Sequence, residues 1–65
     1  MSANESLGRA QELAERMRAT LDRLEQQAES GDVDAAVDDL AEIAEIAKQI
    51  EAEVQRARAS ADAGA

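Results

Sequence analysis

A single breaker, Glu29-Ser30-Gly31-Asp32, interrupts a chain that otherwise has no proline and carries glycine only at positions 8, 31 and 64. On either side of it the apolar residues recur in alternating steps of three and four. Before it the series is Leu7, Ala10, Ala14, Met17, Leu21, Leu24 and Ala28; after it, Val33, Ala36, Leu40, Ile43, Ala47, Ile50, Val54, Ala57 and Ala61. That alternation is the apolar seam of a heptad, and a strand would instead require alternation by two. Ala, Leu, Glu, Gln and Arg dominate both halves and all favour helix. The expected fold is therefore all-α: an antiparallel two-helix hairpin with coiled-coil-like heptads.

The ends follow from side-chain chemistry. Ser2 and Glu5 have capping-box spacing, with Asn4 as a competing cap. Gly31 supplies the left-handed residue past the first helix, and Asp32 can cap the second. These signals predict one domain over residues 1–65, with helix 1 at about 4–29, a turn at 30–32, helix 2 at about 33–60 and a frayed tail at 61–65. A connection this short makes the helices antiparallel neighbours.

Such a hairpin has little to fill its core. Of 29 apolar residues, 16 are Ala and none is aromatic. A chain of 65 residues with no cysteine or histidine has neither disulfides nor the usual zinc ligands to reinforce it. At the same time Leu13, Val37 and Ile46 fall outside the seam as counted above. A stripe wider than one seam requires another neighbour. Packing against a partner is accordingly assigned to Leu13, Val37, Leu40, Ile43, Ile46 and Ile50, and oligomerisation is expected to complete a helical bundle.

Chemistry is scarce. Without Cys or His there is no thiol nucleophile or imidazole base, and Ser30 and Thr20 have no partner to activate them. No catalytic, metal-ligating or cofactor-binding residue is expected. The net charge of −8 is concentrated in residues 29–53, which hold nine acids and only Lys48. Direct nucleic-acid binding is disfavoured because it needs clustered cations and stacking aromatics. An acidic polar face is equally unsuited to a membrane surface. No segment reads as a signal peptide or membrane span, and the expected location is the cytoplasm.

The segment Leu24-Glu25, the turn Glu29-Ser30-Gly31-Asp32-Val33 and the amphipathic helix after it resemble the small subunits of exodeoxyribonuclease VII. The likeness runs from about Arg18 to Ala59, with Val33 standing where that family has Leu. It implies a non-catalytic accessory subunit that packs against a large subunit, which itself cuts single-stranded DNA. Two alternatives remain open from the residues themselves. One is a self-associating hairpin forming a homodimeric four-helix bundle with a scaffold or regulatory role. The other is an acidic inhibitor that occupies the groove of a nucleic-acid-binding protein.

Overall fold

The computed structural model describes residues 2–64 and contains two helices, α1 (Ala3–Ser30) and α2 (Val33–Gly64). They pack along their length as a rod of 51 × 14 × 12 Å. Ser2 caps α1: its Oγ accepts from the Glu5 N–H at 3.1 Å. The Glu5 carboxylate returns to the Ser2 hydroxyl at 3.3 Å, a variation on the capping box that ties the same two residues together.

The turn is built by its backbone. Gly31 sits at φ 80°, with its N–H donating to the Ala28 carbonyl and the Asp32 N–H reaching back to the Gln27 carbonyl. Those two bonds form a Schellman motif and satisfy carbonyls that the end of α1 would leave unpaired. Asp32 then accepts from the Ala35 N–H at 3.2 Å and starts α2. The small residues at 61–64 continue α2 instead of fraying. Ala61 and Ala63 are the strongest helix formers and carry the backbone ladder as far as Gly64. Ala65, the last of the expected tail, lies outside the described residues, as does Met1.

Register comes from polar pairs near the turn. Gln27, with its amide oriented as its acceptor neighbours require, donates to the Ala35 carbonyl at 3.0 Å and to Asp39. Arg23 Nε donates to Asp39 Oδ1 at 3.2 Å, and Arg23 Nη2 to Glu42 Oε2 at 2.5 Å. Thr20 donates to the Arg16 carbonyl at 2.9 Å and lies 3.5 Å from Glu42 Oε2. Partners on α2 advance as those on α1 recede, so the helices are antiparallel. Continued along the rod, this register sets Met17 level with Ile46 and Leu13 level with Ile50.

The seam that closes the hairpin is not the one counted from the sequence. Both share Ala10, Met17 and Leu24 on α1 and Ala36, Ile43, Ile50 and Ala57 on α2, which are half-buried or buried. The second row differs. On α1 it is Ser6, Leu13, Thr20 and Gln27; on α2 it is Asp39, Ile46, Glu53 and Ser60. Ile46, expected outside the seam, is its best-buried large residue at 2% exposure, and Leu13 also turns inward. Leu7, Leu21, Val33 and Leu40, expected inside, are exposed.

The physical reason lies in the middle of the rod. Closing on the row through Leu7, Ala14 and Leu21 would set Ala14 and Ala47 at the centre and leave Ile46 and Leu13 outside. Closing on the row through Leu13 and Ile46 adds these two to Met17, Ile43 and Ile50, which either closure buries, and concentrates the large side chains at the centre while Leu7, Leu21, Val33 and Leu40 stay exposed. The polar residues that this choice buries near the turn have partners. Asp39 receives Arg23 and Gln27, so its burial is matched by hydrogen bonds to a charged donor and an amide.

Candidate interaction surface

Each helix has two rows flanking its seam, and the antiparallel arrangement sorts them onto opposite faces. Arg23 of α1 meets Glu42 of α2 on one face. Farther along that face, Arg9 and Arg16 line a cleft of about 400 Å³ together with Gln49 and Arg56. All of these belong to the rows Arg9, Arg16, Arg23 and Ala35, Glu42, Gln49, Arg56. The other two flanking rows must therefore converge on the opposite face. They are Leu7, Ala14, Leu21 and Ala28 from α1, and Val33, Leu40, Ala47, Val54 and Ala61 from α2. Every residue in them is apolar.

The hairpin is thus two-sided. Its polar face carries the ion pairs and the cleft. Its apolar face holds Leu7, Leu21, Val33 and Leu40, with Val37 on its edge, all between 42% and 69% exposed. Ala14, Ala28, Ala44 and Ala47, also exposed, form a shallow floor between them. A compact monomer of 6.9 kDa exposes about 4,000 Å² by the usual size scaling, whereas this chain exposes 4725 Å². The excess reflects the elongated 51 × 14 × 12 Å shape.

The six residues assigned to partner packing divide between the two environments. Val37 and Leu40 lie on the open apolar face, while Leu13, Ile43 and Ile50 are half-buried in the seam and Ile46 is fully enclosed. Sequence reasoning missed Leu7, Leu21 and Val33 as surface residues. They occur at heptad spacing with Ala14, Ala28 and Leu40, which is equally the spacing of a seam, so spacing by itself does not mark them as surface.

The cleft on the polar face has mixed charge. Glu53 projects from the seam into it and is buried, with Oε1 accepting from Arg56 and Oε2 without a partner among the described residues. Arg9, Glu12 and Arg16 complete its wall. Among the described residues no group of three or more acidic side chains is placed to hold a metal ion. No helix among them is long and apolar enough to cross a membrane.

Charge is divided along the rod as sharply as polarity is divided across it. The half nearest the turn, residues 19–47, holds nine acids and one base, Arg23, for a net −8. The remaining residues hold six acids and six bases and are neutral overall. The antiparallel register puts Asp22, Glu25 and Glu29 of α1 in the same half of the rod as the acids that open α2, and Arg23 is engaged by Asp39 and Glu42.

Fold and surface together define the class: an all-α helical hairpin with one unpaired apolar face. Comparison with protein-family models, curated proteins and solved structures returns no match.

Proposed function

We propose that the chain is a non-catalytic, cytoplasmic protein-protein interaction module that docks helices of a larger assembly, with the small subunit of exodeoxyribonuclease VII as its best named candidate. The observation that carries this is the convergence of two wholly apolar flanking rows on one face of the hairpin. Two helices that needed only each other would present polar flanks on both sides. A face with paired apolar rows and a floor of alanines is suited to receiving another helix, because small residues let backbones approach closely and the flanking Leu and Val side chains grip it.

The residues that carry the family likeness serve the turn. Gly31 provides the left-handed cap, Asp32 caps α2, and the Ser30 hydroxyl donates to the Gln27 carbonyl at 2.9 Å. The likeness and the apolar face therefore support the reading separately, one through the hairpin's construction and the other through its surface.

The test is affinity capture of the tagged chain from its host, followed by mass spectrometry, with wild type and Leu40→Glu run in parallel. Recovery of a nuclease large subunit by wild type, lost in Leu40→Glu, is the expected result. Absence of any such subunit, together with sedimentation of the pure chain as a stable homodimer, would replace this reading with the self-associating bundle.

A further inference from the structure

We infer that the occupant of the apolar face is an amphipathic helix whose apolar stripe is flanked by Lys and Arg, seated over the turn half of the hairpin. This rests on the docking role proposed above and adds the chemistry of the partner. Two independent divisions of the molecule coincide there. Four of the five exposed large apolar residues, Leu21, Val33, Val37 and Leu40, lie within residues 19–47. The same stretch of the rod holds the whole net charge of −8, with Asp39 and Glu42 turned to the opposite face and Asp22, Glu25, Glu29 and Asp34 on the side of the patch.

The helical spacing decides which acids border the patch. Glu25 is four residues after Leu21, and Asp34 is three before Val37, so each is a surface neighbour of an exposed apolar side chain. Glu29 and Asp22 stand one further row out on α1. Arg23, the sole base of this half, belongs to the opposite face, where Asp39 and Glu42 hold it. Arg18, three residues before Leu21 and four before Asp22, is the one cation on this rim, and from Leu21 to the turn the remaining charged neighbours, Asp22, Glu25, Glu29 and Asp34, are all acidic. A helix bringing cations beside its apolar stripe would satisfy both features at once.

A second copy fits less well. Stacked with turns together, two hairpins would set one −8 half against another. Stacked head to tail, each −8 half would meet a neutral half in which Arg18, Lys48 and Arg58 are interleaved with Glu15 and Glu51. Neither arrangement supplies a row of cations. Beyond the patch, Ala14, Ala44 and Ala47 continue the floor toward Leu7, so a helix has room to run along the rod.

The experiment uses the full chain and two fluorescent designed peptides, each about four heptads of Leu-striped helix. One carries Lys and Arg beside the stripe; the other carries Glu at the same positions. Binding is followed by anisotropy at low and high salt, for wild type, Leu40→Glu and Val37→Gln, with helicity checked by circular dichroism. The basic peptide is expected to bind wild type at least about tenfold more tightly than the acidic one and to weaken with salt. Both variants should lose it. Leu40→Glu makes the chain more acidic, so a purely electrostatic association would strengthen, and unchanged or tighter binding by that variant overturns the inference. Equal binding of both peptides would overturn the charge selection while leaving the docking face intact. No binding by either peptide, with the chain a homodimer dispersed by Leu40→Glu, would assign the face to a second copy. No binding by either peptide to a monomeric chain would overturn both this inference and the docking role.

Discussion

Ile46 and Leu40 sit six residues apart on the same helix, and exchanging each for Ala tests which row closes the hairpin. Ile46 is 2% exposed and, by the antiparallel register, lies level with Met17 in the middle of the rod. Truncating such a residue removes its transfer free energy and leaves a cavity, together costing about 2–5 kcal/mol. The low half of that range applies because a two-helix rod can close partly around the gap, so about 2–3 kcal/mol is expected. For a domain of this size each kcal/mol lowers Tm by about 4–8 °C, giving a drop on the order of 10–20 °C. Leu40 is 54% exposed. Its truncation forfeits about half of a side chain worth roughly 2 kcal/mol when fully buried, or about 1 kcal/mol. Alanine's slightly higher helix propensity offsets a few tenths of that. Thermal unfolding followed by circular dichroism, repeated over a dilution series, measures both. The dilution matters because Leu40 contributes more wherever the chain associates. If Leu40→Ala destabilises the most dilute sample as much as Ile46→Ala does, the seam runs through the other row and the assignment of the apolar face is refuted.

Other perturbations address the turn and the buried polar groups. Gly31→Ala meets no steric obstacle, since a Cβ there has nothing within 4 Å, but it must hold φ 80°; a loss of about 1–2 kcal/mol is expected in urea unfolding. Asp32→Ala removes the cap on α2 and should cost about 1 kcal/mol in the same assay. Glu53→Leu removes the unpartnered Oε2 from the seam and should raise stability by about 1–3 kcal/mol, read as a higher urea midpoint with unchanged slope. Arg23→Met removes the charged donor and leaves the buried Asp39 carboxylate with the Gln27 amide alone, and should destabilise the hairpin by about 1–3 kcal/mol, whereas the double change with Asp39→Leu should recover most of that loss.

The helices and their turn were legible because they depend on neighbours close in sequence. Ser2 reaches Glu5, Asp32 reaches Ala35, and Gly31 adopts its left-handed cap within a handful of residues of α1. The rotation of each helix about its axis was not legible. Ala10, Met17, Leu24, Ile43 and Ile50 are common to both possible seams, so apolar periodicity alone favours neither. The row of Leu7, Leu21 and Leu40 even looks more apolar than a row containing Thr20, Asp39 and Glu53. A count of apolar positions cannot register that Arg23 and Gln27 would arrive from the other helix to satisfy Asp39. Of the six residues expected at a partner interface, Val37 and Leu40 lie on the exposed apolar face, Leu13, Ile43, Ile46 and Ile50 lie in the seam, and Leu7, Leu21 and Val33 join the face instead.

The single breaker and the three-four rhythm by themselves determined that this chain is a helical hairpin, because capping, propensity and heptad spacing are local and all point the same way. Composition alone sets the net charge of −8 and the lack of thiol and imidazole chemistry. Only tertiary structure decided which apolar row is core and which is surface, since that choice depends on what faces each row across the seam. It decided as well that Glu25 and Asp34 border the exposed Leu21 and Val37 while Asp39 and Glu42 turn to the other face, where Arg23 holds them. Antiparallel packing places side by side residues that the sequence keeps apart.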